Sequence, residues 1–128
     1  MDRSKPLYKT EDILPHLNFI RKKKQEYLVC LSLDANMRLI RKRVVTIGLL
    51  DRTLIHPREV FAGPLQDRAK FVVVAHNHPS GDPEPSQHDI TMTQHLVAAG
   101  QLLGVKLQDH LTVSGSSYFS FRSASMIL

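Results

Sequence analysis

The sequence predicts an α/β protein of the α+β type: a mixed β-sheet flanked by helices, forming one domain over residues 1–128. Three observations predict it. Apolar runs of strand length interleave with segments of helical periodicity. Short turns at Asp34-Ala35-Asn36 and Gly115-Ser116-Ser117 mark hairpins, so the sheet is mixed rather than all parallel. The chain has 128 residues, 42% hydrophobic and 23% charged, enough for a real core in one domain.

The elements follow in order. Asp12 reads as a helix N-cap with Pro15 in the first turn, where its missing N–H costs little. Ile13, Leu14, Leu17 and Ile20 mark one helical face, and the basic run Arg21-Lys22-Lys23-Lys24 closes it, favourably placed near the negative helix end. Glu26 precedes a strand from Tyr27 to Leu33. After the turn comes a second strand near Arg38–Ile47, with Leu39, Val44, Val45 and Ile47 apolar and Arg38, Arg41, Lys42 and Arg43 on an exposed or edge face. Gly48 breaks it. His56 is expected to cap the next helix, with Pro57 at its first position and Val60, Phe61 and Leu65 toward the core. Gly63-Pro64 is expected to kink or weaken that helix.

Lys70 to Ala75 is an apolar strand. A helix then runs from Ser86, with Ile90, Leu96, Val97, Leu102 and Leu103 as its apolar positions and Gly104 as its stop. Val105–Val113 is a strand, and Tyr118–Phe121 a short last one. Residues 122–128 are expected to fray or to pack on a partner.

The chemistry concentrates in residues 76–89, HNHPSGDPEPSQHD. His76 and His78 sit two apart at the end of the apolar strand, so both imidazoles leave one face if the strand persists. Pro79, Ser80, Gly81, Asp82 and Pro83 form a turn. Ser86 and Asp89, three apart, are neighbours at a helix start. Two imidazoles and a carboxylate suit a catalytic zinc with its fourth position open to water. Ser86-x-x-Asp89 is equally a capping pair. The two readings are compatible, since Ser86 can cap the backbone and still face the metal's water.

The other titratable groups have simpler readings. His16 and His95 are expected on helix surfaces, and His88 points away from Asp89. His110 reads as structural, with a place behind a metal ligand as the alternative. Cys30, the one cysteine, sits in an apolar run and reads as a buried thiol, which excludes an internal disulfide. No apolar run reaches the length of a membrane span, and the polar start MDRSKPLYKT lacks a signal core. A reducing, cytoplasmic setting is expected. Residues 1–70 carry 15 Lys/Arg against 8 Asp/Glu, net +7, and residues 71–128 carry 2 against 4, net −2. The basic half suits a polyanion such as DNA, or is a set of solvated faces.

His76-x-His78, seven residues, Ser86, two residues and Asp89 resemble the JAMM metal motif of the Mov34/MPN/JAB family. The text around it resembles the RadC branch: Glu26-Tyr27, Leu33-Asp34, His56-Pro57-Arg58-Glu59-Val60-Phe61, HNHPSGDPEPS, Leu103-Gly104-Val105 and Asp109-His110. The resemblance implies the three-layer MPN/JAB architecture, similar to cytidine deaminase. It implies Zn2+ held by His76, His78 and Asp89, with Glu26 as general base and Ser86 holding the water or a developing oxyanion. It implies a hydrolase acting on a peptide or isopeptide substrate. RadC-like proteins commonly carry an N-terminal helix-hairpin-helix segment associated with DNA. No such segment is read in this sequence, and a fragment or a short member is expected.

Three functions compete: a zinc metallopeptidase, a DNA-associated module using the metal fold as a scaffold, and a non-catalytic interaction domain. The intact motif argues against the third. His76-Asn77-His78 is no HNH nuclease motif, whose residues are spread across a hairpin and a helix. The branch name links the chain to DNA repair, yet no base-reading constellation is visible. Oligomeric state is not legible.

Overall fold

A computed structural model describes residues 5–48 and 55–127. Residues 1–4 of the polar start and Leu128 of the terminal segment lie outside the described residues. The elements are α1 (Thr10–Ile13), continued by a 3-10 helix (Leu14–Ile20), β1 (Tyr27–Leu33), β2 (Leu39–Ile47), α2 (Pro57–Gln66), β3 (Phe71–Asn77), α3 (Gln87–Leu103), β4 (Lys106–Val113) and β5 (Tyr118–Ser120). The strands form one sheet in the order β2-β1-β3-β4-β5. Only β3 and β4 pair in parallel, with α3 as their crossover, and the other neighbours are antiparallel. The expected mixed α/β fold is the one observed.

Both faces of the sheet are covered, which is why its central strands read as unbroken apolar runs. On β1, Leu28 and Cys30 join Val72 and Val74 of β3 in one core with Phe61 of α2 and Met92 and Leu96 of α3. Val29, Leu31 and Leu33 join Val73 and Ala75 in a second core with Leu17 and Ile20 of the 3-10 helix. Alternation by two thus sorts side chains between two helical layers.

Several expectations need correction. Lys9, not Asp12, is the N-cap of the first helix; Asp12 is its third residue, and its carboxylate accepts the Lys9 backbone N–H at 3.2 Å. After Ile13 the helix tightens to 3-10 geometry around Pro15. His16 is buried rather than on a surface. Arg21 does not serve a helix end: its guanidinium donates to the carbonyls of Ser114 at 2.8 Å and Ser117 at 3.0 Å, pinning the β4–β5 turn. In β2, Val44 and Ile47 are exposed, because bulges on this edge strand break simple alternation. Leu65 is exposed, and Leu102 is 90% exposed beyond the core-facing stripe of α3.

Gly63-Pro64 does not end α2, which continues to Gln66. A Cβ at Gly63 would lie 2.5 Å from Nη1 of Arg43, whose guanidinium grips the Asp67 carboxylate in two contacts. The glycine makes room for that ion pair. Residues 122–127 do not fray: Ile127 is buried against the α2/α3 core. His56 caps α2 as expected, its Nδ1 accepting from Arg58 N at 3.2 Å. Cys30 is buried, which pushes its thiol up to about 12.

Candidate metal centre

The end of β3 and the start of α3 meet where β3 pairs with β4. On β3, Val72 and Val74 face α3, so the same alternation aims His76 at that helix. His78 follows one residue beyond the strand, its backbone N–H donating to Val113 O at 2.8 Å. The loop between is held down. His78 Nδ1 lies 2.9 Å from Asp82 O, Gly81 N donates to His78 O at 3.1 Å, and the Thr112 hydroxyl donates to Pro83 O.

Ser86 caps α3, its Oγ accepting from Asp89 N at 3.1 Å, and Ser86 N donates to Asp89 Oδ2 at 2.8 Å. The capping reading of Ser86-x-x-Asp89 is the one observed, and the capping box locks the same carboxylate that lies beside the histidines. His76 Nε2 lies 3.1 Å from Asp89 Oδ1, His78 Nε2 lies 3.1 Å from Asp89 Oδ2, and the two Nε2 atoms are 2.9 Å apart. One ligand atom from each of the three residues lies within 4.8 Å of the others. His76 and Asp89 are buried and His78 is partly exposed, so the cluster opens on the His78 side.

The hydrogen-bond partners assign the imidazole tautomers. Thr93 Oγ1 has one hydrogen and donates it to Asp89 O at 2.8 Å. Its 2.6 Å contact with His110 Nδ1 therefore needs a hydrogen on that nitrogen. The other nitrogen of neutral His110, Nε2, then accepts from His76 Nδ1 at 2.8 Å. That leaves His76 Nε2 bare. On the other ring, Asp82 O can only accept, so His78 Nδ1 carries its hydrogen and neutral His78 also has a bare Nε2. With both imidazoles neutral, two nitrogen lone pairs and the carboxylate converge with no hydrogen among them. Such a set is stable only around a cation. A divalent metal supplies the charge, or else a proton does.

The acid-base shifts agree. The Asp89 hydrogen bond raises the pKa of His78, with burial opposing it and the Glu26 charge adding to the rise. Burial pushes the Asp89 carboxyl up, but the hydrogen bonds from His76 and His78 outweigh it and hold the group well below the usual carboxylate range. Burial keeps His110 neutral. Two imidazole nitrogens and an ionised carboxylate are a donor set that fits zinc once the ion displaces the protons.

The neighbourhood resolves the remaining candidates. Glu26 stands just before β1 and lines a groove of about 490 Å³ with Lys24, Gly48, His78 and Pro79. Arg21, Lys22, Lys23 and Lys24 line a smaller cleft of about 270 Å³ with His78 and Gly81. His88 is half-buried and outside the cluster, and His95 is exposed. His110 takes the second of its two readings, behind His76. Thr93 carries no mark of its role in the sequence, and the alternation of Leu107, Leu111 and Val113 does not by itself tell which face His110 takes. Between Val72 and Val73 the β3–β4 register shifts, pairing Val72 with Leu107 and Val73 with Asp109. That bulge at Gln108 turns His110 onto the His76 face.

A mixed five-stranded sheet with an α3 crossover and a His-His-Asp cluster at its strand end is consistent with a JAB domain and compatible with a JAMM-type metal site. A family model described as the RadC-like JAB domain matches residues 7–126, and the chain belongs to that family. Curated relatives named UPF0758 protein include one from Thermotoga maritima, 47% identical over 77% of this chain and 44% of its own length. One from Methanospirillum hungatei is 46% identical over 79% of this chain and 45% of its own. One from Methanosarcina mazei is 39% identical over 84% and 47%. The chain spans about half the length of the curated relatives it matches. No helix among the described residues is long and apolar enough to cross a membrane.

Proposed function

We propose that this chain is a zinc-dependent hydrolase of the JAMM type, cleaving an amide or isopeptide bond in a polypeptide. The observation that carries the reading is the convergence of His76 Nε2, His78 Nε2 and the Asp89 carboxylate at one point. When bound there, zinc lowers the pKa of a coordinated water to about 7 and polarises a carbonyl. His76, His78 and Asp89 would hold the ion. The Glu26 carboxylate, in the groove that His78 also lines, takes a proton from the water and passes it to the leaving amine. Ser86, whose Oγ already accepts the Asp89 N–H, keeps its hydroxyl hydrogen to offer to the water or a developing oxyanion.

Glu26→Gln is the test. It should leave about one zinc per chain and cut hydrolysis of peptide or isopeptide substrates by about 10²- to 10⁴-fold. A parent protein that takes up no zinc when supplied, or a variant as active as the parent, overturns the reading.

A second reading, a DNA-associated module linked to repair, is favoured by one observation: the Arg21–Lys24 run lines a cleft beside His78. DNA affinity that falls steeply with salt supports it, and affinity indifferent to salt removes it.

A further inference from the structure

Asn77, between the two histidines, is fully buried and points its side chain away from them. Its Oδ1 accepts from Tyr27 N at 2.7 Å. Its Nδ2 donates to Gln25 O at 2.9 Å and to Lys23 O at 3.2 Å. Both amide hydrogens and the carbonyl oxygen are thus spent on backbone at alternate positions around Glu26. The carbonyl of Glu26 itself accepts from Gly48 N at 2.9 Å. The regular β1–β3 ladder ends with Leu28 opposite His76, one residue short of Tyr27. The Asn77 carboxamide takes over from the ladder where it stops, and it reaches back to Lys23, three residues past the 3-10 helix.

We propose that Asn77 is a positioning residue for Glu26: it fixes the backbone on either side of that carboxylate from a point between two metal ligands. The two parts of the site are far apart in sequence, and this side chain ties them together. A loop carrying a base drifts unless its backbone is pinned, and a displacement of about 1 Å can cost about 100-fold in rate. The inference rests on the reading of Glu26 as the base.

The test uses the full chain and two variants. Asn77→Asp is isosteric and keeps the acceptor for Tyr27 but replaces both donations with repulsion toward Lys23 O and Gln25 O. Asn77→Ala removes all three contacts. In the parent, the 13C resonance of the Glu26 carboxyl is expected to shift on zinc loading. In Asn77→Asp the zinc affinity, measured by chelator competition, should be retained while that shift is lost. In Asn77→Ala, amide exchange at Tyr27 should also accelerate, with Val74 unchanged. With any substrate in hand, kcat should fall about 100-fold at constant KM. A Glu26 response in Asn77→Asp equal to the parent's overturns the inference. So does a variant that loses zinc affinity together with the response, since Asn77 then supports the ligands. A parent whose Glu26 resonance ignores bound zinc overturns the base assignment and this inference with it. Should neither variant fold, exchange at Tyr27 in the parent decides: protection like that of Val74 supports the clamp, and loop-like exchange removes it.

Discussion

His110 Nε2 lies 2.8 Å from Nδ1 of His76, and both rings are fully buried. The contact places His110 behind the Nδ1 edge of His76, on the side of the ring away from Asp89. Thr93 fixes the direction of the chain of hydrogens by donating to the Asp89 carbonyl and accepting from His110. Helix α3, which carries Asp89, is thus linked through Thr93 and His110 to the His76 ring on β3.

Thr93→Val keeps the shape of the side chain and removes the hydroxyl. With no partner for its Nδ1, His110 is free to adopt the other tautomer and to turn a hydrogen toward His76. Zinc affinity is expected to drop about tenfold, within the range for loss of a group behind a metal ligand. Competition against a chromogenic chelator measures it. An unchanged affinity contradicts the tautomer assignment.

Without metal, stability should depend on pH through His78 and Asp89. His78 is raised chiefly by the Asp89 hydrogen bond, so its contribution is full below the unfolded value of about 6.5 and fades as pH climbs through the folded value. Asp89 is depressed against the pull of burial, so its contribution is present above about 3.9 and fades only as pH falls through the folded value. The chelator-treated protein should be most stable between about pH 4 and 6.5 and should lose melting temperature on going to about pH 8. Zinc should reverse that trend, because protons compete with the ion for the same nitrogens. Thermal unfolding with zinc and with chelator at each pH checks both slopes.

Alanine in place of a mid-helix glycine normally adds about 1 kcal/mol of stability. At Gly63 that gain should vanish, because the new methyl meets the Arg43 guanidinium and forces it off Asp67. In an Arg43→Ala background the obstacle is gone and Gly63→Ala should stabilise by about 1 kcal/mol. Denaturant titration of the four proteins in this cycle reads the difference. An equal gain in both backgrounds contradicts the packing role of the glycine.

The legible parts of this chain are those written in short-range spacing. The i, i+2 histidines, the turn after them and the i, i+3 serine and aspartate sit within fourteen consecutive residues, so strand and helix geometry suffice to bring them together. The same holds for the central strands, which are apolar on both faces, and for the His56 and Gly104 helix ends. Glu26 was reached through a family resemblance, because an acid ahead of a strand carries no local mark of chemistry.

Long-range contacts settled the rest. The bulge at Gln108 puts His110 behind His76, and nothing in the residues of β4 announces it, since register depends on the partner strand. Gly63 looks like a helix fault until Arg43, twenty residues earlier, is seen to need its space. Arg21 looks like a helix-end charge until the carbonyls of Ser114 and Ser117 arrive from the far end of the chain. Asn77 reads as a spacer between ligands until β1 lies alongside it. Spacing along a chain encodes which side chains share a face, whereas which face meets which, and what each polar group finds there, follows from how the sheet pairs and packs.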